Sequence, residues 1–434
     1  MFIRRARIAA SISALAIVLA GCGGGSTAPP TSSTLLPSTG AQATLICQSS
    51  SPLFALVAVT SSGSNVSTLL TTRDFEHFTN VTPSGSSVPA ELGRFLNGSC
   101  PTQNDFWVIS SSLDTSKGWL LRTTDGGAQW QVSRQVWTGS GGGGSVAFAG
   151  VEHGILTAGS AANNSLTFAQ TVDGGEKWSS ISLPSNLLVN FQLEAPSFPN
   201  ATTGFAAVSS LPPEPGSEIQ SAVLASSDAG ATWTPASPPV RTAGERLYLQ
   251  PRFFSARGIV PVLVVHPSLR LGLPLAPRQH GTADAIIEET SNAGRSWKAW
   301  PPVSLAAPVQ LGNAGSQGLD TLQGVPSVAV GNPSTIWIAY ARQDGRVKIT
   351  TTRDGGRSWF TPPTKSLPSV PRTSDLRSGL LQPVIIQAVN GRVALVSLAI
   401  NPSGLPVTYL TVDGGIRWTT FPRELGRLTA WTAS

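Results

Sequence analysis

Charged residues, histidines and cysteines are scarce in this chain of 434 residues. Only 12% of the residues are charged, against about a quarter in ordinary soluble proteins. The four histidines show no zinc-ligand spacing, so we expect no metal site and no cofactor. Neither a basic helix nor an aromatic–basic stripe is present, which argues against nucleic-acid binding. Helix-capping boxes followed by apolar stripes of helical period are nearly absent, which argues against a helical fold.

The first 21 residues have the organisation of an export signal. Three arginines lie within residues 4–7, and residues 8–20 form an apolar run too short to span a bilayer comfortably. The run ends in Leu-Ala-Gly-Cys at Cys22, which resembles the lipobox of bacterial lipoprotein signal peptides. The resemblance implies cleavage before Cys22 and acylation of that cysteine. A soluble signal peptide and an inner-membrane anchor are the alternatives.

The segment after the cysteine is uncharged, and glycine, serine, threonine and proline dominate it. Such a segment cannot bury enough apolar surface to fold by itself. We therefore divide the chain into a signal peptide (1–21), a flexible tether (22–41) and a folded part (42–434). We expect an exported protein that its lipid anchors to the bacterial cell envelope, in the outer membrane if the host has one.

An eight-residue motif, here called the octet, recurs six times along the folded part. Its acidic or amide residue recurs every 48 to 64 residues. A degenerate seventh copy, Thr-Thr-Arg-Asp-Phe-Glu-His-Phe, occupies residues 71–78. Each period also contains four short runs rich in valine, isoleucine, threonine and aromatic residues, bounded by turn residues. Periods near fifty residues with strands throughout indicate a propeller or another repeat array.

The octet has the chemistry of a hairpin turn between the third and fourth strands of each period. Its carboxylate can accept backbone N–H groups inside the turn, and its glycines permit positive φ. Its tryptophan adds a large apolar surface that can pack between neighbouring sheets. We therefore predict that the repeated acidic residues are structural and do not form a catalytic set.

The pattern Ser/Thr-x-Asp-x-Gly-x-x-Trp resembles the Asp-box, or BNR repeat, of sialidase-like β-propellers. Five of the six octets match it fully. The remaining one, in the fifth unit, has an amide in place of the carboxylate, and the degenerate copy in the first unit lacks the glycine. The resemblance implies an all-β fold: a seven-bladed β-propeller with four-stranded antiparallel blades. It also implies that the octets lie on the face opposite the functional one. The octet residues are Asp74; Asp125, Gly127, Trp130; Asp173, Gly175, Trp178; Asp228, Gly230, Trp233; Asn292, Gly294, Trp297; Asp354, Gly356, Trp359; and Asp413, Gly415, Trp418.

The catalytic residues of a sialidase are not identifiable in the sequence. That family would require an arginine triad, an Arg-Ile-Pro motif, a Tyr–Glu pair and an acid/base aspartate. No Arg-Ile-Pro follows the signal peptide, and the only tyrosines are Tyr248, Tyr340 and Tyr409. Acidic residues outside the octets form no recognisable pair, and we interpret them as solvated loop charges. They include Glu245, Asp284, Glu288, Glu289, Asp320 and Asp344.

One basic, proline-rich segment departs from the repeat, at residues 264–285 of the fifth unit. We predict a long loop between strands two and three, on the face opposite the octets. Loops on rigid scaffolds often carry binding sites, although a plain surface insertion is the alternative. The candidate ligand contacts in or near it are Arg246, Arg252, His266, Arg270, Arg278 and His280.

Cys47 and Cys100 end the first strands of two adjacent units, in a compartment where disulfides form. A bond between them would join the first two blades, but it requires Cα atoms within about 7 Å, so both outcomes are open. Closure of the ring is open too: the tail 427–434 either pairs with the first unit or caps the last.

These observations favour a non-catalytic binding or assembly module for a protein or glycan ligand. The chain also resembles the photosystem II assembly-factor-like propellers, which assist protein assembly. The alternative is an exo-acting glycoside hydrolase of sialidase type. We expect a monomer that contacts the membrane through Cys22 and does not bind nucleic acid.

Replacing Cys22 with alanine removes the thiol that lipid attachment requires. In bacterial cells, we expect Cys22→Ala to lose incorporation of an alkyne-labelled fatty acid and to leave the membrane pellet. The shift should be nearly complete, because several acyl chains together make a lasting anchor. Ser26→Ala, in the same tether, is the control and should label normally; label retained by Cys22→Ala would contradict the prediction.

Overall fold

A computed structural model describes most of the predicted folded part. The described residues are 41–50, 53–61, 64–140, 142–160, 165–181, 191–193, 196–210, 221–237, 245–267, 278–312, 322–323, 326–342, 344–370, 384–399 and 406–421. The predicted signal peptide, Cys22, the tether up to residue 40, Arg270, Asp320 and the tail 427–434 lie outside them. No helix among the described residues is long and apolar enough to cross a membrane.

The described strands form seven antiparallel sheets in a ring, so the prediction of a seven-bladed β-propeller is confirmed. Blade 1 contains β1 (Gln42–Ser50), β2 (Leu53–Thr60), β3 (Ser67–Thr72) and β4 (Phe78–Asn80). Blade 2 contains β5 (Leu92–Ser99), β6 (Phe106–Ser112), β7 (Lys117–Thr123) and β8 (Gln131–Thr138). Blade 3 contains β9 (Gly142–Phe148), β10 (Gly154–Ser160), β11 (Ser165–Thr171) and β12 (Ser179–Ser180).

The remaining blades follow in chain order. Blade 4 contains β13 (Phe191–Leu193), β14 (Gly204–Ser210), β15 (Ser221–Ser226) and β16 (Thr234–Pro235). Blade 5 contains β17 (Glu245–Tyr248), β18 (Arg252–Phe254), β19 (Arg257–Pro267), β20 (Arg278–Thr290), β21 (Lys298–Ala299), β22 (Val303–Gly312) and β23 (Leu322–Gln323). Blade 6 contains β24 (Ser327–Asn332), β25 (Thr335–Ala341) and β26 (Val347–Thr352). Blade 7 contains β27 (Val384–Ala388), β28 (Ala394–Leu398), β29 (Val407–Thr411) and β30 (Thr419–Phe421).

Two blades depart from four strands. In blade 6 the fourth strand is reduced to one bridge between Thr351 and Phe360. Pro362 and Pro363 follow one residue later, and they lack the N–H groups that a longer strand would need. In blade 5 the first and fourth strands are each broken in two, and β23 adds to the sheet beyond β22.

The core is divided into seven apolar clusters, one at each blade boundary. Second strands are buried on both faces because alternate side chains point to opposite neighbours. In β6, Phe106 and Val108 pack toward blade 1, whereas Trp107 and Ile109 pack toward blade 3. A blade therefore completes its core only when both neighbours are in place.

The octets form the turns between third and fourth strands, at one common face of the ring. In each full octet the hydroxyl at position 1 donates to the side chain at position 3 and accepts the backbone N–H of position 5. In blade 3 the Thr171 hydroxyl donates to Asp173 at 2.8 Å and accepts the N–H of Gly175 at 2.8 Å. The Asp173 carboxylate also accepts the N–H of Lys177 at 2.9 Å. Asn292 accepts the equivalent bond from Ser296 at 2.9 Å, so the amide replaces the carboxylate without losing the turn.

Each of the six later octets is also joined to the turn between the first two strands of its own blade. In blade 3, Gly174 N donates to Glu152 O at 2.8 Å, and in blade 7, Gly414 N donates to Arg392 O at 2.8 Å. Both kinds of turn therefore lie together, and we call the surface that they form the octet-turn face. First strands run toward this face and hairpins between second and third strands lie at the opposite face.

The octet tryptophans pack against the preceding blade. Trp130 lies in the cluster between blades 1 and 2, where its indole N–H donates to Val81 O at 2.9 Å. In the degenerate first octet, Phe78 packs in the cluster between blades 7 and 1, with its ring centroid 5.4 Å from that of Phe421. The aromatic residue that ends the first octet one place early thus packs as the tryptophans do.

Among the described residues, the ring closes without a strand exchanged between its first and last blades. Side chains make most of the joint, beside one backbone hydrogen bond from Thr408 N to Ala41 O at 3.4 Å. Gln387 of β27 binds both backbone groups of Leu45: its Oε1 accepts the N–H at 2.9 Å, and its Nε2 donates to the carbonyl at 3.2 Å. Gln48 donates to Ala388 O at 2.9 Å, and Thr408 accepts the N–H of Ala43 at 2.9 Å.

A disulfide joins Cys47 and Cys100, whose Cα atoms are 5.7 Å apart. Cys47 lies at a register shift of β1, and Cys100 follows β5 directly. The bond fixes blade 1 to blade 2 at the centre of the ring, where the first strands of adjacent blades contact each other.

Two neighbouring glycines of the second octet separate backbone strain from steric clash. Gly126 and Gly127 have φ of 76° and 95°, but a Cβ on Gly126 would meet nothing nearer than 3.6 Å, whereas one on Gly127 would lie 2.6 Å from Val81 Cβ. We expect Gly126→Ala to lower the free energy of unfolding by about 1 kcal/mol and Gly127→Ala by about 3 kcal/mol. Urea unfolding measures both. Equal losses would contradict a steric role for Gly127.

Acid should weaken the sixth octet through Asp354. Hydrogen bonds from the hydroxyl and N–H of Ser358 and from the Thr352 hydroxyl lower the pKa of Asp354 to about 2, from the ordinary 3.8. A lowered folded-state pKa means that ionised Asp354 contributes stability above about pH 4, and that this contribution is lost as the pH falls toward 2. Asp354→Asn keeps an acceptor oxygen, as Asn292 does, and should reduce the difference between urea midpoints at neutral and acid pH. Asp344→Asn, on the opposite face, is the control; an unchanged pH dependence in Asp354→Asn would contradict the assignment.

Candidate functional site

The described ends of the predicted loop at residues 264–285 are β-strands, which corrects the sequence-based expectation for them, and residues 268–277 lie outside the described residues. The two ends belong to β19 and β20, which pair from Gly258–Thr290 to Pro267–Gly281. On the other side of β20, β22 pairs from Arg278–Gly312 to Ala285–Val303. The extra backbone is therefore satisfied by a three-stranded extension. We call this extension, residues 264–267, 278–285 and 303–312, the arm.

The arm rises from the face opposite the octets. Third strand β20 has 13 residues, whereas its counterpart β7 in blade 2 has 7. At about 3.3 Å per residue, the additional residues extend the blade by about 20 Å. The sequence prediction therefore placed this element on the correct face of the ring but gave it the wrong local structure.

The structure separates the six candidate ligand contacts into two groups. Arg246 pairs with Val264 and His266 pairs with Thr282, both at the base of the arm. The backbone of Arg278 and His280 lies further out, opposite Gly312 and Gln310. Arg252 does not join them, because it pairs with Ile259 near the octet-turn face. The two arginines lie near opposite ends of the first strand of blade 5, which crosses the whole blade. They are therefore close in sequence but far apart in the structure.

Three charged or titratable groups meet at the base of the arm. His266 Nε2 lies 3.1 Å from Asp284 Oδ2, and both side chains are partly exposed. Arg246, which is exposed, pairs with Val264, and Val264 pairs in turn with Asp284. Paired residues of antiparallel strands point to the same face. The base of the arm thus presents a guanidinium, an imidazole and a carboxylate on the side facing blade 4.

Below this row, Tyr248 and Glu288 are enclosed between blades 4 and 5. Burial raises the pKa of Tyr248, the charge of Arg246 opposes the rise, and Glu288 adds to it. Glu288 is 2% exposed, and its Oε1 has no hydrogen-bond partner among the described residues. Burial therefore raises the pKa of Glu288. The interpretation of Glu288 as a solvated loop charge was wrong: it lies in β20, on the buried face that Ile286 also occupies.

Two other acids outside the octets, Glu289 and Asp344, are engaged in local contacts. Glu289 accepts from Arg257 Nε at 2.7 Å and from Trp300 Nε1 at 2.9 Å. Asp344 lies 3.7 Å from Arg346 Nε and accepts the backbone N–H of the same residue. Glu245 begins β17. No group of three or more histidine, cysteine or acidic side chains within the described ranges could hold a metal ion.

The innermost strands carry two partly buried arginines, of which Arg252 was identified from the sequence and Arg94 was missed. Arg94 of β5 and Arg252 of β18 are partly buried, and burial lowers the pKa of each guanidinium. Arg94 Nε has no partner in the part of the chain that the structure describes. First strands surround the central channel of a propeller, so both cations lie beside it. Arg94 gave no signal in the sequence because it falls in an ordinary repeat of blade 2.

A shallow depression of about 180 Å³ lies on the same face as the arm, at the hairpin of blade 2. Its charged residues are already paired: Lys117 Nζ lies 3.3 Å from Glu91, and hydroxyls of Ser112 and Ser116 lower the pKa of Asp114 to about 2. The charged groups of the depression are thus engaged with one another and with neighbouring hydroxyls.

Comparison with protein-family models and with curated proteins gave no match. Among solved structures, the GH74 enzyme of Niastella koreensis is 14% identical over 89% of this chain and 65% of its own, with a TM-score of 0.40. YCF48 bound to a D1 peptide is 15% identical over 77% and 95%, with a TM-score of 0.31. A PL25 ulvan lyase is 10% identical over 88% and 94%, with a TM-score of 0.48. This chain therefore spans less than two thirds of the GH74 enzyme, and the matched proteins include both enzymes and binding proteins.

Proposed function

We propose that this protein is a non-catalytic binding module of the bacterial envelope, which takes an anionic glycan or protein ligand at the base of the blade 5 arm. The observation that carries the proposal is the row of Arg246, His266 and Asp284 beside a sheet that extends about 20 Å beyond the ring. A guanidinium beside a rigid strand can hold a carboxylate or sulfate by paired hydrogen bonds. The neighbouring imidazole adds positive charge when it is protonated.

The environment of the acidic and tyrosine side chains supports binding over catalysis. Most glycoside hydrolases use two accessible carboxyl groups on either side of the scissile bond, and sialidases use a tyrosine nucleophile instead of one of them. Glu289 and Asp344 are held in local contacts, and Asp284 is paired with His266. Tyr340 is 1% exposed in the cluster between blades 5 and 6.

One observation favours the alternative, an exo-acting glycoside hydrolase. Tyr248, Arg246 and Glu288 lie close enough for their charges to affect the titration of the tyrosine. A tyrosine beside a carboxyl group is the pair that the sialidase resemblance requires. Both side chains are buried, however, at 7% and 2% exposure, so catalysis would need blades 4 and 5 to move apart.

The position of the first strand is compatible with the proposed lipid anchor. β1 begins at Gln42 on the face that also bears the arm, since it runs toward the octet-turn face. A flexible tether of twenty residues has a root-mean-square length of about 25 Å. The anchor at Cys22, the tether and the envelope location remain parts of this proposal.

Binding and turnover can be separated with the full chain in a neutral detergent. We would titrate sialyllactose, oligogalacturonate and a polyglutamate peptide, and assay fluorogenic sialosides and aryl glycosides in parallel. Arg246→Ala should weaken binding of the preferred anion at least about tenfold, which corresponds to about 1.4 kcal/mol. The matched control is Arg342→Ala, an exposed arginine on the same face of blade 6.

The outcomes distinguish the two functions. Selective weakening by Arg246→Ala without turnover agrees with a binding module. Turnover that Glu288→Gln abolishes would replace it with the hydrolase. Equal binding by wild type, Arg246→Ala and Arg342→Ala would remove the ligand site from the arm.

A further inference from the structure

The octet-turn face carries opposite charges on its two halves. For each blade we consider the two turns at this face and the first residue of the fourth strand. In blades 5–7 these positions carry six cations and two carboxylates. The cations are Arg295, Lys298, Arg353, Arg357, Arg392 and Arg417, and the carboxylates are Asp354 and Asp413.

Blades 1–3 have the reverse balance, with seven carboxylates and two cations at the same positions. The carboxylates are Asp74, Glu76, Asp105, Asp125, Glu152, Asp173 and Glu176, and the cations are Arg73 and Lys177. Blade 4, between the two halves, carries Asp228 as its single charge among the described residues at these positions, and Glu194 lies outside the described residues. The residues directly before the octets reduce the contrast by one charge on each half. Arg122 adds a cation to the acidic half and stacks on Trp107, and Glu289 adds a carboxylate to the basic half and pairs with Arg257.

Many of these charges are exposed and not engaged within the molecule. Arg295, Lys298, Arg357, Arg392 and Arg417 are exposed, and no ion pair within the described ranges involves them. On the other half, Glu76, Glu152 and Glu176 are exposed and equally without an ion pair there. The folding of one copy therefore leaves both sets available to a partner.

Exposed apolar side chains accompany the charges on both halves. Val172 of blade 3 is 63% exposed, and Ile416 of blade 7 is 61% exposed. Val151 on the acidic half and Phe360 and Val412 on the basic half add further apolar surface. Exposed apolar groups with polar residues around them mark surfaces that contact other proteins.

We propose that the octet-turn face is a homodimer interface, with its basic half on the acidic half of a second copy, in place of the monomer that the sequence led us to expect. An isologous interface uses the same surface on both subunits and must be complementary to itself. A two-fold axis that passes through blade 4 and leaves the ring between blades 7 and 1 meets this requirement. It places blades 5, 6 and 7 of one copy on blades 3, 2 and 1 of the other.

The blade pairing matches the charges blade by blade. Arg295 and Lys298 of blade 5 face Glu152 and Glu176 of the second copy's blade 3. Arg357 of blade 6 faces Asp105 and Asp125 of blade 2, and Arg392 and Arg417 of blade 7 face Asp74 and Glu76 of blade 1. Such complementarity selects the partner and the register more than it adds affinity. An external polyanion would be attracted by one half of the face and repelled by the other.

The dimer is compatible with the position of the first strand. Each Gln42 lies on the face that bears the arm, so neither tether starts within the interface. The arms of blade 5 point away from the interface in opposite directions. A dimer therefore leaves both proposed ligand sites open.

Charge reversal in two complementary variants tests the interface. One variant is Arg295→Glu with Arg357→Glu, and the other is Glu152→Lys with Glu176→Lys; none of these side chains takes part in an octet hydrogen bond. By sedimentation velocity of the full chain in neutral detergent, we expect wild type to dimerise at low salt and to weaken at least about tenfold in 0.5 M NaCl. Each variant alone should be monomeric, and an equimolar mixture of the two should dimerise again.

A control with the same change in net charge excludes a general charge effect. Arg342→Glu with Lys365→Glu reverses two exposed cations away from the octet-turn face, and it should dimerise as wild type does. The proposal is overturned if wild type stays monomeric at low salt, if the mixed variants stay apart, or if the control dissociates as readily as the first variant. Circular dichroism of each variant establishes that loss of the dimer is not loss of the fold.

Discussion

Burial of both faces of every blade is the constraint on which the rest of this structure depends. A single sheet here has no core of its own, and its apolar residues are satisfied only by two neighbours. Seven such boundaries exist, and the last of them lies between blade 7 and blade 1. If that boundary were open, two apolar faces would be exposed to water, so the side-chain joint formed by Gln387, Gln48 and Thr408 is as important as the strands themselves.

The octets allowed the fold to be predicted because their physical requirements are local. A hydroxyl, a carboxylate or amide, and residues at positive φ make the same turn wherever they occur. The period between them then counts the blades. The shortened fourth strand of blade 6 was harder to predict from the sequence. Its residues have strand composition, but Pro362 and Pro363 lack the backbone N–H donors that a longer strand would need.

The candidate site was predicted less well, because it depends on which residues share a strand face. Proline and glycine in residues 264–285 indicated a loop, but pairing with β22 stabilises an extended sheet there. Arg252 was grouped with Arg246 from closeness in sequence, whereas the strand carries the two arginines to opposite ends of the blade. Glu288 shows the same limit, since only the register with Val260 reveals that its side chain is enclosed.

Variable octet positions show why a structural repeat can still carry information. The turn constrains the hydroxyl, the acid or amide, the glycine and the aromatic residue, while the side chain at the sixth position takes no part in its hydrogen bonds. Glu176, Arg295 and Arg357 occupy this sixth position in three blades. Charge can therefore differ from blade to blade around a ring whose backbone repeats.

The disulfide gives the ring a preferred direction of opening. It ties blade 1 to blade 2, whereas blade 7 is held at the seam by side-chain hydrogen bonds and an apolar cluster. Strain at the seam would then detach blade 7 while blade 1 stays in place, because the covalent bond lies on only one side of it. Partial unfolding of this propeller should accordingly proceed from its carboxyl-terminal blade inward, in the manner of a repeat array with one reinforced end.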